Sequence, residues 1–152
     1  MRHGGNVWEG QPADWLDFSA NLRPEGTPAW VMDTMRAALS QACYYPDRAM
    51  RAARAGLALY LGVDENCVLP TAGGAAAIDL TLGVRRGAVH VQQPTFGEYA
   101  ERAKAHGRRM AANQAIQADD TVVICNPNNP TGTLLSPNDM LRIHRDVRNS
   151  GG

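Results

Sequence analysis

Three short apolar runs, each closed by a turn rich in Gly, Pro or Asn and each followed by a stretch of helical character, constrain this chain more than any other feature. CVLPTAG leads into AAAIDLTLG, AVHVQQP into TFGEYAERAKAHG, and TVVICNPNNPTG into SPNDMLRIHRDVRNSG. Short runs carrying Val and Ile read as strands buried on both faces, and helical connections between them require a parallel sheet with right-handed crossovers. The predicted class is α/β. Ahead of these units, residues 1–26 read as an irregular arm, because RHGGN and DFSANLRPEG are dense in Gly, Asn and Pro. Thr27 is placed to cap a helix with Pro28 at its first position and Val31, Met35, Leu39 and Ala42 along one face. A second helix is predicted from about Asp47 to Leu61, with Gly62 as its stop.

Composition narrows the partners. Fifteen basic and fifteen acidic residues cancel, and no long basic run offers a footprint for nucleic acid or an anionic membrane, so the expected ligand is small. No apolar stretch approaches the roughly 20 residues of a membrane span, and the polar start is unlike a signal peptide. The expected compartment is the cytoplasm. Cys43, Cys67 and Cys125 are odd in number and lack a CxxC pair, which suits reduced, buried thiols better than a disulfide frame, and no metal site is expected. Of the basic residues a single one is lysine, Lys104.

In a parallel sheet, ligands collect beyond the carboxyl ends of the strands, so the three strand-to-helix turns carry most weight. Gly73-Gly74 would let backbone N–H groups and a helix dipole face an anion such as phosphate, although locally the pair also reads as the tight start of a helix. Neither the GxGxxG fingerprint nor a Walker loop is present. Phe96, just past a strand end, is placed to cover a planar ligand or to serve as a core phenylalanine. In NPNNPTG, Pro127 and Pro130 stiffen a turn that offers more amides than a bare turn requires.

Taken in order, the Gly-rich turn, PTFGEY and NPNNPTG resemble the fold type I pyridoxal-phosphate enzymes, the aspartate aminotransferase superfamily. Within it, RHGGN, LDFSANLRPEGTP and YYPD resemble the threonine-phosphate decarboxylases of cobalamin biosynthesis, with the histidinol-phosphate aminotransferases as close relatives. The resemblance implies an arm over residues 1–26, a helical segment of the small domain and linker over 27–62, and the first half of the pyridoxal-phosphate-binding large domain over 63–152. It also implies that the chain covers well under half of such an enzyme. Gly73, Gly74 and Ala75 would bring backbone N–H groups to the phosphate of pyridoxal 5'-phosphate, Phe96 would stack on its ring, and Asn129 would donate to its phenolic oxygen. Tyr45 would reach the cofactor phosphate of a neighbouring subunit, implying a homodimer with shared sites. His3 and Asn21 match positions near a small phosphorylated amino acid substrate.

Two departures qualify the resemblance. Ala75 and Ala76 stand where relatives often place polar side chains, leaving the phosphate turn to backbone groups and Thr71. The family's aspartate for the pyridine nitrogen and its Schiff-base lysine fall beyond these motifs, so no catalytic residue is assigned and the chain alone is expected to be inactive. Lys104 lies in EYAERAKAHG among charges and reads as a solvated helix position, and Asp119 and Asp120 read as turn residues. The alternative functions are a histidinol-phosphate-type aminotransferase and a non-catalytic phosphate- or pyridoxal-binding fragment.

Overall fold

A computed structural model of the chain describes residues 4–8, 10–11, 14–111 and 114–152. They form two compact units, Met1–Val68 and Leu69–Gly152. Among the described residues, no helix is long and apolar enough to cross a membrane.

The first unit contains helix α1 (Ala29–Ala38), extended by a 3-10 turn at Leu39–Gln41, and helix α2 (Arg51–Leu61), followed by a 3-10 turn at Glu65–Cys67. Helix α1 starts one residue later than predicted: Pro28, not Thr27, is its cap, and no side chain caps it. The predicted apolar face buries none of its residues; Met35 and Leu39 stay 59% and 71% exposed. Helix α2 starts four residues after Asp47 because that carboxylate builds the preceding turn, accepting from the Ala49 and Arg51 backbone N–H groups at 3.1 and 3.0 Å. Gly62 ends it as predicted, at φ +68°, where a side chain would be strained.

The second unit carries the parallel sheet. Helix α3 (Gly74–Val84) leads to strand β1 (Val89–Val91), helix α4 (Glu98–Ala105) to strand β2 (Met110–Ala111), and strand β3 (Thr121–Val123) to helix α5 (Pro137–Asn149). The strand order is β2-β1-β3. Val89 pairs with Met110 and Thr121, and His90 with Ala111 and Val122, all in parallel. The predicted α/β class, with helical crossovers on a parallel sheet, is therefore the observed one. The predicted strand at CVLPTAG does not form: Val68 is extended (φ −118°, ψ 125°), yet the segment has no strand to pair with among the described residues. Strand β2 escaped the sequence reading because two residues give no alternation to detect.

Leu82, Val89 and Ala103 form the core, with Ile78 and Val123 packed against them. Arg108, 6% exposed, staples the amino side of this layer. Its Nε donates to the Gly87 carbonyl (2.7 Å), Nη1 to the Leu82 carbonyl (3.0 Å), and Nη2 to the Ala88 carbonyl (3.1 Å) and Thr121 Oγ1 (2.9 Å). A buried guanidinium is tolerable because each of its three nitrogens donates to a partner. Asp120, 3% exposed, is more than a turn residue. Its carboxylate accepts from the Ala88 N–H (2.6 Å), the Gln117 N–H (2.9 Å) and His90 Nε2 (2.8 Å), which ties β1 to β3. Asp119 does hold a turn, at φ +68°. The cysteines are free thiols, but Cys43 and Cys67 are exposed rather than buried, and Cys125 is half-buried.

Candidate functional site

Helix α3 returns through a short turn to the start of β1, so it runs back along the sheet with its amino end on the side of the strands' carboxyl ends. Gly73 opens the helix at φ +84°, a conformation that a side chain disfavours. Thr71 holds the turn, its Oγ1 donating to the Gly73 carbonyl (3.0 Å) while its own carbonyl accepts from the Gly73 N–H (2.9 Å). No side chain caps α3, and Gly74 and Ala75 are exposed. A Cβ built on Gly73 or Gly74 would meet nothing within 4 Å. Among the described residues, the result is a helix amino terminus whose Gly74 and Ala75 N–H groups are unpaired, with open space before it, suited to an anion by both hydrogen bonding and dipole.

Beyond β1, Phe96 packs edge-on against Tyr99, with ring centroids 5.8 Å apart and planes at 87°. Both are half-buried. Burial pushes the Tyr99 phenol up to about 12, with a further contribution from its hydrogen bond with the Cys125 thiol. Beyond β3, the proline-bounded loop divides its three asparagines between two tasks. Asn126 closes the base: its Nδ2 donates to the Leu135 carbonyl (3.2 Å) and its Oδ1 accepts from the Leu135 N–H (2.8 Å). Asn128 reaches the Phe96 turn. Its Oδ1 accepts from Thr95 Oγ1 (2.8 Å), and its Nδ2 donates to the Pro94 carbonyl (2.9 Å) and Thr131 Oγ1 (2.8 Å). Asn129 is exposed; its backbone N–H donates to Cys125 Sγ (3.4 Å), and its side-chain amide makes no hydrogen bond among the described residues.

The Phe96 turn and the Asn129 loop are thus joined directly, and the Gly73–Ala75 turn lies at the same side of the sheet. This donor set fits pyridoxal phosphate: backbone N–H groups for the phosphate, an aromatic ring for the pyridine face, a free amide for the phenolic oxygen. Asn21 and Tyr45 belong to the first unit, both exposed, Tyr45 at 88%. There the GGN start and the DFSAN run meet, for the Gly5 N–H donates to Ser19 Oγ (2.8 Å) and the Ser19 N–H to Asp17 Oδ1 (2.8 Å). His3 lies outside the described residues. Lys104 sits exposed in the last turn of α4, as a solvated helix position would.

Sequence reasoning took Asn128 only as one of the turn amides and did not single out Thr95. The signal was present, since each immediately precedes a residue that the reading did select, Phe96 and Asn129.

The family profile described as aminotransferase class I and II matches residues 13–151. A threonine-phosphate decarboxylase of a Sinorhizobium species is 34% identical over 163 aligned positions, covering 99% of this chain and 47% of that protein. A histidinol-phosphate aminotransferase of Desulfitobacterium hafniense is 27% identical, covering 86% of this chain and 43% of that protein. Among solved structures, the L-threonine-O-3-phosphate decarboxylase of Porphyromonas gingivalis superimposes with a TM-score of 0.71 at 27% identity, covering 88% of this chain and 44% of that one. The chain spans about half the length of the relatives it matches, rather more than the motifs alone suggested.

Proposed function

Because the chain belongs to the class I and II aminotransferase family, whose enzymes work with pyridoxal phosphate, we propose that it forms part of a threonine-phosphate decarboxylase-like enzyme. The reaction would release carbon dioxide from L-threonine O-3-phosphate and give aminopropanol phosphate, a building block for cobalamin. The observation that carries this reading is the direct joining of the Phe96 turn to the Asn129 loop on the side of the sheet where the α3 amino terminus stands open. The Sinorhizobium decarboxylase aligns at 34% identity over 99% of the chain, against 27% over 86% for the Desulfitobacterium aminotransferase, which supports decarboxylation.

Bound pyridoxal phosphate supplies an electron sink for the pair left when the bond to the substrate's α-carboxylate breaks. The chain's residues bind and orient that group. Of the Gly73, Gly74 and Ala75 N–H groups expected at the phosphate, that of Gly73 is held by the Thr71 carbonyl, so Gly74 and Ala75 offer the donors while Gly73 shapes the turn, and no charged side chain is needed. Phe96 covers one face of the ring and keeps water from it. Asn129 donates to the phenolic oxygen, stabilising its anion and so holding the nearby proton balance in place. Tyr45 would complete the phosphate site of a neighbouring subunit in a homodimer, and His3 and Asn21 would meet the substrate. The same reading assigns residues 1–26 to an arm, 27–62 to the small domain and linker, and 63–152 to the large domain. No residue of this chain is assigned as the covalent anchor.

Product analysis tests the reading. With pyridoxal phosphate and threonine phosphate, the full-length protein is expected to release carbon dioxide and aminopropanol phosphate. Amine transfer from histidinol phosphate to a 2-oxo acid, with no carbon dioxide from threonine phosphate, would replace it with the aminotransferase.

A further inference from the structure

We infer that Thr95 and Asn128 form a positioning pair that fixes where Asn129 presents its amide, and thereby sets how strongly the site distinguishes a 3-hydroxypyridine from a ring without that oxygen. The inference rests on the pyridoxal-phosphate reading above. Three features carry it.

The first is saturation. The Asn128 side chain accepts once and donates twice, to partners at 2.8, 2.9 and 2.8 Å. Its backbone N–H donates to the Thr133 carbonyl (2.8 Å) and its carbonyl accepts from the Gly132 N–H (2.7 Å). With both main-chain groups and the whole amide engaged, Asn128 has no alternative pairing to relax into. The second is location. Thr95 is 8% exposed, and its hydroxyl spends its donor on Asn128, so breaking the pair leaves a buried polar group unmet. The third is adjacency. Phe96 follows Thr95 and Asn129 follows Asn128, so the clasp holds the ring-covering residue and the amide donor at one separation. Asn126 offers an internal comparison, for its side-chain hydrogen bonds among the described residues go to Leu135 and not to the Phe96 turn.

Hydrogen-bond selectivity depends on placement within a fraction of an ångström, and the supporting residues provide that placement. An Asn129 amide on a loosened loop would still be present but would spend less time in line with the phenolic oxygen.

The test uses two ligands without an aldehyde, 4'-deoxypyridoxine 5'-phosphate and its 3-deoxy counterpart, titrated calorimetrically into the full-length protein. The readout is the ratio of their dissociation constants. The unsubstituted protein is expected to prefer the 3-hydroxy ligand about tenfold, the scale of one good hydrogen bond to an anionic acceptor. Thr95→Val, equal in shape but without the hydroxyl, should cut that ratio to about twofold or less while the 3-deoxy ligand, held by the phosphate turn, binds within about twofold of normal. Thr95→Ser should restore the ratio. Asn128→Asp keeps the shape and an acceptor, loses both amide donations and carries the same expectation; it stands in for Thr95→Val if that variant does not fold. An unchanged ratio in Thr95→Val or Asn128→Asp, or an equal loss of both ligands, overturns the inference. Asn129→Ala separates this from failure of the underlying reading. If Asn129→Ala abolishes the preference and the clasp variants do not, the inference alone falls; if Asn129→Ala leaves the preference intact, the reading of the site falls with it.

Discussion

Three asparagines within four positions look interchangeable in the sequence, and the fold gives each a different duty. Asn126 and Asn128 are consumed by the scaffold, while the Asn129 side-chain amide makes no hydrogen bond among the described residues. Stability and binding should therefore separate. Asn126→Ala is expected to lower unfolding stability by about 1–2 kcal/mol, because it strands the Leu135 backbone groups, and Asn129→Ala by less than about 0.5 kcal/mol. Urea unfolding checks both. Pyridoxal phosphate affinity should reverse the order, with Asn129→Ala the weaker binder by about tenfold. Equal stability losses would contradict the division of labour. The sequence made Asn129 legible through the motif that surrounds it; it hid the role of Asn128, because the partner at Thr95 is 33 residues away and only the parallel register brings the two turns together.

At the scale of elements, Asp120 shows what local pattern cannot reveal. Two adjacent aspartates before a strand read as a turn, and Asp119 at φ +68° fulfils that reading. Its neighbour instead receives hydrogen bonds from β1 and from the approach to β3, and the Gln117 N–H first, then His90, hold its carboxyl down to about 2. The consequence for pH has a definite sign. A carboxyl whose folded value lies below its unfolded one, about 3.9, contributes stability that is fully present above about pH 4 and fades as pH falls toward 2. Unfolding stability of the unsubstituted chain should therefore drop across that window, and Asp120→Asn should flatten the drop while lowering stability at neutral pH. A drop of the same depth in both proteins would remove Asp120 as its source. Helix α5, by contrast, was readable in advance. Ser136 and Asp139 complete a reciprocal cap, with the Asp139 N–H donating to Ser136 Oγ at 3.1 Å, and Pro137 occupies the first turn.

For the molecule as a whole, the alternation of strand, turn and helix was enough to give the class, and the order of the turns was enough to give the family. What the sequence misjudged were elements that depend on pairing rather than on pattern: the segment at CVLPTAG, extended at Val68 but unpaired among the described residues, and β2, too short to show a period. The lone lysine belongs to this scale, because it decides whether the chain can hold its cofactor covalently. Lys104 is exposed on α4. Sodium borohydride reduction with equimolar pyridoxal phosphate should leave Lys104 unmodified in peptide mass maps of this chain; stoichiometric labelling there would reassign it. Arg108 and Asp120 lend the sheet a mechanical character as well. Both bind it at the amino ends of β1 and β3, whereas the carboxyl ends carry the turns where a ligand would sit. The layer is pinned at its root by buried charge and joined at its tip by the bond between Thr95 and Asn128, so that β1 and β3 are fixed to one another at both ends.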